Sequence, residues 1–163
     1  MPKLIVVEND KVEGTDTHNV AGAATNPAAP PPTVPYSGMA QFDYVGKMTD
    51  QLSDFVKIDG KPVALTSSKS SLNPGEASPA GKHGGPAGKN FIPPSPAPIP
   101  NTINITDPVG TGRPSATAGS TFVTVGSTPV LLDSDKIDTC DGLSTPMNST
   151  VTAEGQSFVN CSE

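Results

Sequence analysis

Two fifteen-residue stretches, "FVKIDGKPVALTSSK" at 55–69 and "FVTVGSTPVLLDSDK" at 122–136, align without a gap. Phe, Val, Pro, Val, Leu, Ser and Lys coincide at seven of the fifteen positions, and Ile58 falls opposite Val125. Each stretch alternates apolar and polar residues on both sides of a Gly-containing turn, which predicts a β-hairpin. Pro62 and Pro129 have no amide hydrogen to give to a ladder, so both belong at a strand start or a sheet edge. A repeated unit this short cannot bury its apolar side alone and must pack on its neighbour. The expectation is two hairpin copies building one pseudo-symmetric β core.

Composition sharpens that expectation. The 163 residues suit a single domain spanning 1–163. Only 34% are apolar and 4% aromatic, and Pro plus Gly make up 35 of the 163, so a thick conventional core is not expected. The class expected is all-β, with long Pro/Gly-rich inserts near 23–35 and 73–101. "LIVV" at 4–7 reads as a short buried strand, and "TINITDPV" as another. "AATNPAAPPPTVP" at 23–35 reads as extended chain belonging to neither helix nor sheet. For residues 40–54, the spacing of Val45, Met48 and Leu52 predicts one modest helix, weakened by Gly46.

A strand, a turn, "PV" and a second strand, followed at a distance by a His or Cys, resemble the PAAR and PAAR-like proteins. These form the pointed tips of contractile injection machines, both type VI secretion systems and extracellular phage-tail-like particles. The residues carrying the resemblance are "VKIDGKPVAL", "VTVGSTPVLL" and the early "GTDTHNVAG". It implies a small β cone whose base caps a trimeric spike protein, one tip per trimer, with effector cargo as a further partner. It also implies a vertex pinned by one metal ion on His and Cys side chains, zinc in the first instance and iron in the second. A sharp vertex has almost no interior, so ligand bonds there would replace missing hydrophobic burial.

The chain has two histidines and two cysteines, His18, His83, Cys140 and Cys161. Together they make a complete tetrahedral set for zinc, with no open position for catalysis. Two other readings stand beside that one. Cys140 and Cys161 could close a disulfide loop of about 20 residues, worth roughly 3 kcal/mol, or the four residues could have unrelated roles.

Other functions find little support. The charge of −6, with ten basic residues scattered singly, argues against nucleic acid. "GKHGGPAGK" fails as a phosphate loop, because His83 stands where the first Gly belongs and Asn90 replaces the Mg-binding hydroxyl. No nucleophile motif or paired-carboxylate constellation appears, so no enzyme is expected. "NIT" at 104–106 and "NST" at 148–150 match the glycan acceptor pattern. The amino-terminal apolar run is too short for a secretory signal, and no stretch approaches a membrane span. The expectation is therefore a soluble chain, assembled into an injection particle as a structural spike tip that aids puncture of a target envelope and is delivered to or through it. The alternatives are an adaptor or effector carried on the spike, or a largely disordered interaction protein.

Overall fold

The computed structural model describes residues 1–26, 28, 32–77, 81–140 and 149–162. Strand β1 (Lys3–Leu4) leads through residues 5–7 into two long strands, β2 (Lys11–Thr25) and β3 (Thr33–Asp50). Then come β4 (Lys57–Ile58), β5 (Lys61–Pro62) and β6 (Lys69–Leu72), and a long insert carrying β7 (Lys89–Ile92), β8 (Ala97–Pro98) and β9 (Asn104–Ile105). Strand β10 (Thr111–Pro114) follows the insert, and β11 (Thr124–Val125), β12 (Thr128–Pro129) and β13 (Lys136–Thr139) repeat the earlier pattern. Strands β14 (Ser149–Thr152) and β15 (Asn160–Cys161) come last. The all-β expectation holds and the disordered alternative does not. Among the described residues no helix is long and apolar enough to cross a membrane. Asn148 of the second acceptor motif lies outside the described residues.

The two hairpins recognised by alignment fold alike. Lys57 pairs with Pro62 and Ile58 with Lys61, while Thr124 pairs with Pro129 and Val125 with Thr128. The structure adds a third copy, assembled from the two ends of the chain. Strand β15 pairs with β1, Asn160 opposite Leu4 and Cys161 opposite Lys3, in the register of the other two hairpins. Phe158-Val159 then corresponds to Phe55-Val56 and Phe122-Val123, and residues 5–7 correspond to 63–65 and 130–132.

These three apolar triplets close a ring. Isolated bridges join Val7 to Val63, Leu65 to Val130 and Leu132 to Ile5, so each triplet's last residue meets the next one's first. Within the ring Ala64 N donates to Val6 O at 2.9 Å, Leu131 N to Ala64 O at 2.9 Å, and Val6 N to Leu131 O at 3.0 Å. Each triplet is followed by the same turn. Val7 N donates to Asp10 Oδ2, Leu65 N to Ser68 Oγ and Leu132 N to Asp135 Oδ2, at 2.7, 2.8 and 2.8 Å. The pleat sends Val6, Ala64 and Leu131 to the inner core and their neighbours to a second apolar cluster with Ile58.

From the ring each unit sends out one strand, β2, β6 or β13, and receives one back, β3, β10 or β14. The returning strands pair with the next unit's outgoing ones, so the six form a closed circuit, β2–β3–β6–β10–β13–β14 and back to β2. Closure leaves these strands without free edges along the paired stretch. Inside lie Val12, Tyr44, Met48, Leu131, Ile137 and Val151.

Two expectations fail. Residues 40–50 are strand rather than helix, because Ala40, Phe42, Tyr44 and Met48 are all fully buried at alternate positions. Period 2 governs, and Val45, Met48 and Leu52 do not mark a helical face. The two ends of the Pro-rich stretch join the sheet, 23–25 in β2 and 33–35 in β3, in a ladder that runs from Lys11↔Lys47 to Thr25↔Thr33; residues 27 and 29–31 lie outside the described residues. Pro35 is tolerated because, among the described residues, only β2 pairs with β3 at that level. The insert packs on this outer half of the ribbon, around Val20, Ala24, Tyr36, Ala40, Phe42 and Ile103. A Cβ added at Gly22 would run into the carbonyl of Thr102, and one at Gly38 into that of Ile92.

Leu131, fully buried at the centre of the ring, is expected to cost about 2–5 kcal/mol when truncated to Ala. Urea unfolding of Leu131→Ala checks this, and a loss under 1 kcal/mol would contradict the packing described.

Candidate metal centre

Just above the ring's core, the three units converge on one buried polar group. Outgoing strand β2 supplies Asp16 and His18, two positions apart and thus on one face. The insert after β6 supplies His83, and the residue following β13 is Cys140. One donor atom from each of the four lies within 4.8 Å of the others. Asp16, His18 and His83 are 2% exposed or less, and Cys140 is 3% exposed.

Second contacts fix how the imidazoles face. His83 Nδ1 donates to the Asp43 carbonyl at 2.8 Å, which can only accept, so Nε2 presents a lone pair. His18 Nδ1 lies 2.6 Å from Asp107 Oδ1 and orients its Nε2 the same way. Asp107 also accepts from Asn19 N and Asn19 Nδ2, at 2.9 and 3.0 Å, which ties the loop after β9 to β2. Aromatic rings hold the imidazoles edge-on, with Tyr44 centred 5.7 Å from His83 and Phe42 5.8 Å from His18.

The two Nε2 atoms thus face each other at 3.0 Å. Asp16 Oδ2 is 2.9 Å from that of His83 and 3.8 Å from that of His18. Cys140 Sγ is 3.5 Å from His83 Nε2 and 2.6 Å from Asp16 Oδ2. Lone pairs pointed together inside a protein repel unless a proton or a cation stands among them. Tetrahedral bonds of about 2.0–2.3 Å require donor separations of roughly 3.3–3.7 Å; one of these distances falls in that range, one lies just above it at 3.8 Å, and three are shorter, at 2.6, 2.9 and 3.0 Å. The group can hold a metal ion.

Asp16's other oxygen is held by the hydroxyl of Thr139, which in turn contacts Ser149 Oγ at 3.1 Å. Burial, reinforced by the neighbouring Asp16 charge, pushes the Cys140 thiol far above its ordinary value. Without a cation the thiol therefore keeps its proton, and a metal must displace it.

Three of the four ligands expected from the sequence meet here, and the fourth does not. Cys161 lies in β15 at the base, packed beside the second apolar cluster, with its Sγ 3.5 Å from Ser120 Oγ. It occupies the hairpin position of Ile58 and Val125, a small apolar site, and Asp16 takes the expected fourth place among the donors. Both cysteines are free thiols, so the disulfide reading fails. The sequence signal for Asp16 was the spacing "DTH" in a strand, which places the Asp and His side by side. The centre is also not at a vertex: β2 and β3 continue past His18 to Thr25 and Thr33.

Substituting His83→Ala or Cys140→Ser is expected to abolish stoichiometric metal retention after dialysis, whereas Cys161→Ser leaves it intact; elemental analysis of the purified protein decides. Asp107→Asn should weaken metal affinity about 10–100-fold through His18. Because the thiol proton must leave, affinity should fall about tenfold for each pH unit lowered from 8 to 6, measured by chelator competition. No family model, curated protein or solved structure matches this chain, so function must be read from the three-unit base and the donor group themselves.

Proposed function

We propose that this chain is the non-catalytic tip of a contractile injection spike, as its resemblance to PAAR proteins implies. The supporting observation is at the base. Phe55, Phe122 and Phe158, at equivalent positions of the three units, are 76%, 73% and 64% exposed. Large apolar side chains repeated this way in a small protein mark a binding surface. A homotrimer presents three identical sites about its axis, and a monomer with three similar corners is matched to that arrangement. Phe55 borders a groove with Leu65 and Val125, which brings it to the apolar cluster of the base.

In this reading the base docks one tip on a trimeric spike protein and the donor group stiffens the body above. The ion is zinc: two anionic donors, Asp16 and Cys140 as thiolate, balance a divalent charge in a buried site, and mixed N, O and S donors suit it. Ferrous iron carries the same charge and is the second choice. The insert packs onto the β2–β3 ribbon rather than forming a body of its own, which favours a structural part over a carried effector.

The test pairs the protein with a purified trimeric spike protein of a contractile injection system. Mass measurement is expected to give one tip per three spike chains, and a 3:3 complex or no complex would overturn the reading. Replacing the three Phe residues with Ala should weaken binding more than 100-fold. Each replacement should change stability by no more than about 0.5 kcal/mol, since all three rings are exposed.

A further inference from the structure

The donor group is sealed. Asp16, His18, His83 and Cys140 are all buried, so a metal ion needs a route in and out that the resting side chains do not leave open. Phe42 and Tyr44 set their rings against the two imidazoles on the ribbon side. Thr139 and Ser149, both buried, stand behind Asp16. A cleft of about 240 Å³ borders the group elsewhere, its wall including His83, Gly84, Gly85, Asn104, Ile105 and Val109. Asn104 and Val109 are exposed and form its rim. Of the four donors, His83 is the one that borders the cleft.

We infer that His83 is the gate of the centre: its imidazole swings into this cleft to let a divalent ion in or out, while Asp16, His18 and Cys140 stay in place. The inference rests on the zinc reading of the donor group and is independent of docking to a spike. The four donors are held unequally. Asp16 and His18 belong to β2, which is paired with β3 along its whole length, and Cys140 directly follows β13. His83 lies in no strand, in the stretch between β6 and β7. His18 Nδ1 is held by a carboxylate, Asp107, which is itself fixed by Asn19 N and Asn19 Nδ2. His83 Nδ1 has a neutral acceptor, the Asp43 carbonyl at 2.8 Å. Hydrogen bonds to a charged acceptor are about twice as strong as those between neutral groups, so the hold on His83 is the first to give. Space lies beside it, because the next two residues, Gly84 and Gly85, bring no side chains to the wall of the cleft. Withdrawing one imidazole leaves three donors, the number that keeps a zinc site open to an exchangeable fourth ligand. The cleft has room for water at that position.

The experiment measures zinc uptake and release by the full-length protein with a chromogenic chelator, at chelator concentrations where the release rate no longer depends on it. Val109→Trp and, separately, Asn104→Trp obstruct the rim, and neither residue is a donor. An obstruction raises the barrier to entry and exit alike, so both rates are expected to fall about tenfold with the dissociation constant unchanged. Val109→Ala widens the same rim and is expected to raise both rates by one common factor. Asn101→Trp, exposed on the same insert but outside the cleft wall, should leave both at their wild-type values. Rates that the rim variants leave unmoved, or that shift only because affinity has changed, would overturn the gate. Circular dichroism and equilibrium zinc content establish that each variant is folded and loaded; should one Trp variant fail, the other and Val109→Ala give the same comparison. Wild-type protein that takes up no zinc refutes the donor-group reading along with the gate, whereas normal uptake with insensitive rates refutes the gate alone.

Discussion

The closed cycle of three backbone hydrogen bonds among Val6, Ala64 and Leu131 is the constraint on which the rest depends. Each link joins two different units, so no unit completes its pairing without both others. The ring fixes the starting points and directions of β2, β6 and β13 and thereby the six-strand circuit above it. It also brings together groups 124 positions apart, such as Cys140 and Asp16. A chain with 34% apolar residues cannot depend on a thick core for this. It uses short, fully satisfied backbone contacts around small apolar triplets, with the capping side chains of Asp10, Ser68 and Asp135 closing each turn.

Above the ring the three units stop resembling one another. The first outgoing strand, β2, continues as a long ribbon, β6 gives way to an insert, and β13 ends at Thr139, followed by Cys140 with a left-handed φ of 52°. Matched apolar packing requires matched shapes, and at this level the shapes differ. Coordinating groups are more tolerant, since a strand, a loop and a strand end can each deliver one or two donor atoms to a common point. The donor group accordingly lies between two apolar clusters, with Phe42 and Tyr44 linking it to them.

What could be read in the sequence follows from what is local. Two copies of the hairpin are each continuous, and their alignment gave both position and register. The third is divided between the chain's ends, Phe158-Val159 at one and residues 3–7 at the other, so linear comparison passes over it. Strand β3 was legible in principle: Ala40, Phe42, Tyr44 and Met48 alternate, but three apolar residues at helical spacing obscured the shorter period. His83 and Cys140 could be named because the chain has so few such residues. Asp16 is one of 16 acidic residues, and only its pairing geometry distinguishes it from the others. Cys161 was misassigned because its role is packing, and a thiol at a hairpin site otherwise filled by Ile and Val leaves no mark in the sequence.

The location of the charges ties these features together. A donor group at the far end of the ribbon would bring its anionic members, and the carboxylates that support them, to that end. Placing it partway along the ribbon keeps Asp16, Asp43 and Asp107 at the level where charged chain begins. The remaining ribbon is held by continuous pairing and by the close approach of the insert at Gly22 and Gly38. Stiffness and neutrality are in this way assigned to different segments of one hairpin. The inner segment carries the acidic member of a group that can hold a cation; the outer one is paired, proline-rich and free of Lys, Arg, Asp and Glu.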